Sequence, residues 1–160
     1  MSMVQEEDAQ FEHMVATLQS LIDEQEQELY SATVLREART PQNLRRMNGP
    51  DAQAIVRGWC GDTMEIYLRL RGTVIHESTF MTDGCGPSIA CGSMLTQMIQ
   101  GRTLDEAGAL RPLDLLQALD GLPEDSRHCA QLAVMTLQQA IETRRVGEGD
   151  DGQPPPQRSA

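Results

Sequence analysis

Between residues 53 and 81 the apolar side chains stop recurring every three or four positions and begin to alternate. This switch of period constrains the fold more than any other feature of the chain. Met64, Ile66, Leu68 and Leu70 alternate with Glu65, Tyr67, Arg69 and Arg71, the pattern of a strand with one face buried. Arg71-Gly72-Thr73 reads as a short turn into a second strand, Val74 to Met81, which makes a hairpin. Ala54-Ile55-Val56 supplies a third, antiparallel strand that leads into Cys60.

Helical spacing brackets this sheet on both sides. Residues 5–29 predict an amphipathic helix, with Phe11, Met14, Val15, Leu18, Leu21 and Ile22 on one face and acids and glutamines on the other. Ser31 to Ala38 predicts a second helix, ended before Thr40-Pro41 because the residue preceding a proline is pushed toward extended geometry. Gly49-Pro50 closes an irregular linker. After Cys85, Gly86-Pro87 opens a helix with a buried stripe of Ile89, Met94, Leu95, Met98 and Ile99, stopped by Gly101. Thr103-Leu104-Asp105-Glu106 is a capping box, and Pro112 to Leu119 predicts a further short helix. A last helix is expected from about Glu124 to Arg145, with Leu132, Ala133, Leu137, Ala140 and Ile141 inward. The polar stretch from Gly147, with Pro154-Pro155-Pro156, is expected to be disordered. The chain thus divides into a helical extension over residues 1–29, one domain over 30–145 and a tail over 146–160.

Charge is unevenly placed along these pieces. Of the 24 acids, eight lie in residues 1–28 with no base among them, which leaves 16 against 13 bases in the remainder. No basic surface is available for phosphates, which argues against nucleic-acid binding. The acidic amphipathic helix suits docking on the domain, on a partner or on a second copy, so a homo-oligomer is one expectation. Every base is an arginine, so Schiff-base and lysine general-base chemistry are excluded. No run reaches the length of a membrane span and the acidic N-terminus resembles no signal or transit peptide, which places the chain in a reducing cytoplasm with free thiols.

Three of the four cysteines stand in separate settings punctuated by small residues: Trp59-Cys60-Gly61-Asp62, Asp83-Gly84-Cys85-Gly86-Pro87 and Arg127-His128-Cys129. None has a zinc-finger CxxC neighbour, so each thiol is delivered by a different piece of the fold. Gly61 allows a sharp turn that points Cys60 and Asp62 toward one centre. Cys85 precedes one predicted helix and Cys129 occupies the first turn of another, where free N–H groups and partial positive charge favour thiolates. Thiolates joined by Asp62 or His128 describe a site for a soft metal or an iron–sulfur cluster. Cys91, in Ile89-Ala90-Cys91-Gly92 on a helix, reads instead as a small core residue. His13, His76 and the pair Met94 and Met98 carry no site signal.

The same residues carry a resemblance. The order Arg39-Thr40-Pro41-Gln42-Asn43, Cys60-Gly61-Asp62, Gly84-Cys85-Gly86-Pro87-Ser88-Ile89-Ala90 with Ser93-Met94-Leu95-Thr96, Gly101-Arg102-Thr103-Leu104-Asp105-Glu106-Ala107 and His128-Cys129 resembles the IscU/NifU N-terminal family of iron–sulfur cluster assembly scaffolds, over about residues 30–143. The resemblance implies an α+β fold, a small antiparallel sheet packed with helices, in agreement with the three strands read above. It implies that Cys60, Cys85 and Cys129 are the scaffold cysteines, with Asp62 and His128 flanking them. It also implies a transient 2Fe–2S or 4Fe–4S cluster, sulfur delivered by a cysteine desulfurase as persulfide on Cys129 or Cys85, and transfer to apo iron–sulfur acceptor proteins.

Departures from the family narrow this reading. Members served by a dedicated Hsp70 chaperone carry Leu-Pro-Pro-Val-Lys before the last cysteine, and Leu122-Pro123-Glu124-Asp125-Ser126 stands here instead, which speaks against that partner. The insertion of the zinc-dependent SufU branch between the first two cysteines is missing. A zinc-bound sulfur acceptor that relays persulfide would nonetheless use the same ligands. A Cys–His hydrolase needs neither three thiols nor adjacent His128 and Cys129. A structural zinc site would prefer a closed, cysteine-rich shell.

Overall fold

The structure, a computed structural model, describes residues 3–150, with the side chains of residues 3–147. The elements run α1 (Met3–Leu29), α2 (Ala32–Arg39), β1 (Ala52–Arg57), β2 (Thr63–Arg71), β3 (Val74–Thr82), α3 (Gly86–Ile99), α4 (Leu104–Gly108), α5 (Pro112–Ala118), a 3-10 turn (Glu124–Ser126) and α6 (His128–Asp150). The expected α+β architecture is present: one antiparallel sheet in the order β1-β2-β3. Ala54 faces Ile66 across one ladder, and Ile66 faces Phe80 across the other.

The apolar residues of β2 behave as their alternation requires. Met64, Ile66 and Leu68 are fully buried, and α6 packs across β1 and β2 while α3 packs against β3. A register shift between Arg69 and Leu70 interrupts the hairpin near its turn. Tyr67, which the alternation places on the wet face, is only 6% exposed. The linker over residues 42–50 accounts for this. Phe80 N–H donates to the Asn43 carbonyl and Arg45 N–H to the Phe80 carbonyl, so the linker runs along the edge of β3. Arg46 then forks onto Glu65, Arg69 reaches the Asn48 carbonyl and Met47 is buried, so the second sheet face is partly roofed. Arg46 holds the Glu65 carboxyl below its usual range.

In α3 the buried stripe also differs from the expectation. Ile89, Met94 and Met98 are only half-buried, while small residues (Ala90, Cys91, Gly92, Ser93 and Thr96) take the fully buried positions beside Leu95 and Ile99. A sheet and α2 approach α3 closely, and small side chains admit that approach. The α2–α3 contact is locked by Glu37, a buried carboxylate that accepts hydrogen bonds from Ser93 Oγ (2.6 Å) and Gln97 Nε2 (2.7 Å). Burial of that charge is tolerated because its oxygens are paired. The last helix runs on past Gly147 to Asp150, since no proline interrupts it before Pro154, so residues 146–150 do not belong to an unstructured tail. The remainder of the expected tail lies outside the described residues.

Helix α1 buries none of its described side chains, and Phe11, Met14, Leu18 and Leu21 stay exposed rather than docking on the domain. Its ties include Arg39, whose guanidinium reaches Glu26 at 2.8 Å and Asp23 at 3.5 Å on the surface. Exposed pairs of this kind contribute about 1 kcal/mol or less. Deleting residues 1–28 should therefore leave urea stability within about 1 kcal/mol of the full chain. A loss of cooperative unfolding on deletion would show that α1 belongs to the core. Light scattering on the same pair of proteins tests whether the stripe joins two copies.

Candidate metal centre

All the cysteine motifs meet at one end of the sheet. The β1–β2 turn carries Cys60 and Asp62; it closes through Gly58 N–H onto the Asp62 carbonyl (2.7 Å) and Gly61 N–H onto the Gly58 carbonyl (3.0 Å). Gly61 has φ +95°, a backbone conformation that side chains strain, so glycine is required for this turn. Cys60 sits inside the turn, three residues beyond the end of β1 at Arg57. At the same end, Asp83 accepts from Thr63 N–H (2.6 Å) and Thr82 Oγ donates to the Thr63 carbonyl (2.7 Å). These bonds pin the β3–α3 loop beside the β1–β2 turn and deliver Cys85 as the N-cap of α3. The 3-10 turn before α6 brings in His128 and Cys129 at that helix's start.

One ligand atom from each of Cys60, Asp62 and His128 lies within 4.8 Å of the other two, close enough to share a metal ion. Cys129 adjoins this trio: its Sγ is 3.7 Å from His128 Nε2 and 3.4 Å from the hydroxyl of Ser88. Ser88 is itself buried, and its hydroxyl also lies 3.5 Å from Asp62 Oδ2, so it bridges the carboxylate and the thiol. Cys85 stands outside the trio. It is exposed and lines a groove of about 470 Å³ with Tyr30, Val34, Arg39 and Pro87. The structure thus brings Cys60, Asp62 and His128 together with Cys129 beside them, and Cys85 lies near enough to Cys129 to push its thiol up.

Cys129 corrects one expectation. Its place at a helix start was expected to favour the thiolate, yet the side chain is 1% exposed, and burial pushes its thiol up to about 11. The Ser88 hydrogen bond works in the opposite direction, and Cys85, Asp62 and Cys60 add smaller upward pushes. Desolvation is the largest of these influences. Near neutral pH, iodoacetamide should modify the exposed Cys60 and Cys85 first. Cys129 should lag well behind them, because its burial both raises its thiol and shields it from the reagent. Peptide mass spectrometry at timed intervals reads this, and Cys129 reacting first would overturn its burial.

Cys91 lies fully buried on α3, where burial raises its thiol well above the ordinary value, with smaller contributions from Cys129 and Cys85. Cys91→Ala should bind metal as the parent does and cost about 1 kcal/mol of stability. Loss of metal binding in that variant would place Cys91 among the ligands. Ser88 and Trp59 lie within the cysteine motifs, but the sequence assigns neither a role. Trp59 lies with its ring centroid 5.6 Å from that of His128, tilted by 59°. Neither contact leaves a local signal, since each joins segments distant along the chain.

Residues 29–146 match the family described as NifU-like N terminal domain. This chain belongs to that family. The iron-sulfur cluster assembly scaffold protein IscU 1 of Archaeoglobus fulgidus is 35% identical over 114 residues, covering 71% of this chain and 74% of the relative. The iron-sulfur cluster assembly scaffold protein IscU of Escherichia coli K12 is 31% identical over 117 residues, covering 70% and 91%. Among solved structures, the N-terminal part of a nitrogen-fixing NifU-like protein from Brucella abortus superimposes with a TM-score of 0.59 over 72% of this chain and 94% of its own, at 21% identity. That likeness supports the fold.

Proposed function

We propose that this protein is a non-catalytic scaffold on which an iron–sulfur cluster is assembled and from which it is passed to apo-proteins. The observation that carries the reading is the convergence of Cys60, Asp62 and His128, with Cys129 behind them, inside a NifU-like N-terminal domain. Three thiolates of Cys60, Cys85 and Cys129 hold iron, and either Asp62 or His128 completes the shell. A mixed shell with one hard oxygen or one imidazole suits a cluster that must leave.

Sulfur arrives from a cysteine desulfurase as persulfide. Cys85 is exposed and reachable by a donor, whereas Cys129 is buried and must be uncovered first, which supports Cys85 as the first acceptor. The cluster is 2Fe–2S when first formed, with 4Fe–4S reached by further assembly, in a reducing cytoplasm that keeps the thiols free. Acceptors are apo iron–sulfur proteins. In place of the chaperone motif Leu-Pro-Pro-Val-Lys, the chain here forms the 3-10 turn Glu124–Ser126, which argues against a dedicated Hsp70. No described helix is long and apolar enough to cross a membrane.

A second reading has one observation in its favour. Cys60, Asp62, His128 and Cys129 form a two-sulfur, one-nitrogen, one-oxygen set of the kind zinc accepts, which would make the protein a zinc-bound persulfide relay. Anaerobic incubation with ferrous iron, cysteine and a desulfurase separates the two. The scaffold develops iron–sulfide absorption and transfers it to apo-ferredoxin; the relay retains zinc, accepts sulfur and develops no such absorption.

A further inference from the structure

Trp59 is the single tryptophan of the chain, and it is 86% exposed. It follows Gly58 and precedes Cys60 in the closed β1–β2 turn, and its ring lies against the imidazole of His128 at the start of α6. Histidines that bind metals are ordinarily oriented by a hydrogen bond to the ring nitrogen that faces away from the metal. Among the described residues the hydrogen-bond contact of His128 is Nε2 to Cys129 Sγ, a long 3.7 Å, so its other ring nitrogen has no hydrogen-bond partner and the ring lies against Trp59.

We infer that Trp59 is a positioning residue for the metal centre, holding the His128 imidazole toward Cys60 and Asp62 in place of the missing hydrogen bond. The inference rests on His128 being a ligand, as the proposed function has it. The turn geometry makes the coupling direct. Gly58 N–H is bonded to the Asp62 carbonyl and Gly61 N–H to the Gly58 carbonyl, so Trp59, Cys60 and Asp62 move as one unit. Contact between Trp59 and His128 therefore sets the distance between the ligands of the turn and the ligand of α6. An aromatic ring can do this through its face alone, without a hydrogen-bonding atom, so phenylalanine should serve in its place.

The test uses the full chain and Co²⁺ as the probe, titrated anaerobically into the parent, Trp59→Ala, Trp59→Phe, His128→Ala and Cys60→Ser. Visible ligand-field bands report the ligand set, and the intensity of thiolate-to-cobalt charge transfer reports the number of bound thiolates, Cys60 among them. Circular dichroism confirms that each variant is folded, as expected for an exposed position. The parent should show both sets of bands, with its tryptophan emission quenched as Co²⁺ binds. Trp59→Ala should bind about tenfold more weakly, the usual size of an outer-shell loss. Its ligand-field bands should shift to those of His128→Ala, and Trp59→Phe should restore the parent spectrum. Trp59→Ala with the parent's affinity and bands, or bound Co²⁺ without quenching in the parent, overturns the positioning role while leaving the site intact. A charge-transfer band of undiminished intensity in Cys60→Ser, or ligand-field bands unchanged in His128→Ala, overturns the site reading and the role of Trp59 with it.

Discussion

Gly92→Ala should destabilise the protein by at least about 3 kcal/mol, a fall in melting temperature of roughly 6–12 °C for a chain of this size. A Cβ at position 92 would lie 2.2, 2.4 and 2.7 Å from ring carbons of Phe80, far inside contact distance. Phe80 is fully buried on β3 and paired through Ile66 to the centre of the sheet, so its ring has no free space into which to move. Helix α3 would have to lift from the sheet instead. Because Cys85 caps that helix, the lift should also move a thiol at the margin of the metal centre. Phe80→Leu in the Gly92→Ala background should recover part of the loss, since a smaller and more flexible side chain yields to the added methyl. Urea unfolding of the four proteins of the cycle reads both effects. A Gly92→Ala change below about 0.5 kcal/mol would mean that α3 does not sit on β3 as described.

Asp62→Ala should hold its iron–sulfur cluster on the order of tenfold longer than the parent. A carboxylate is a hard oxygen donor, whereas iron–sulfur clusters are normally held by soft thiolates. Asp62 is half-buried, and a hydrogen-bonded contact to its oxygens comes from Ser88 at 3.5 Å, a long and weak bond. It is thus a polar, exchangeable point beside Cys60 through which an acceptor's thiol or solvent can enter. With the ligands proposed above, removing it leaves three thiolates and His128. Decay of visible absorption after anaerobic reconstitution, with transfer to apo-ferredoxin followed in parallel, measures the effect. Faster decay, or undiminished transfer, would make Asp62 a structural ligand.

The hairpin was legible because Met64, Ile66 and Leu68 alternate cleanly and one sheet face is fully covered. Tyr67 was misread because its cover comes from the irregular linker, where Arg46 and Met47 give no periodic signal. In α3 the apolar spacing points to Met94 and Met98, while the positions that matter for close packing are Cys91, Gly92, Ser93 and Thr96. Small and polar residues lie at such contacts because the neighbouring element is near, which is a fact about tertiary structure alone. The same holds at the metal centre. Cys60, Asp62 and His128 were legible from their motifs, and the structure brings their ligand atoms together. The burial of Cys129 and the bridging by Ser88 depend on how α6 and α3 meet, and the chain near residues 88 and 129 carries no mark of it.

The central claim is that Cys60, Cys85 and Cys129 hold a transient cluster that Asp62 and His128 keep labile. Mössbauer spectroscopy of protein reconstituted anaerobically with ⁵⁷Fe, cysteine and a desulfurase tests it most directly, run on the parent and on Cys60→Ser, Cys85→Ser and Cys129→Ser. The account predicts a 2Fe–2S spectrum in the parent with one iron site distinct from the other, because one iron has a ligand that is not sulfur, and loss of most of that signal in each serine variant. A parent spectrum of mononuclear iron alone, or a full cluster signal in any of the three variants, would contradict it.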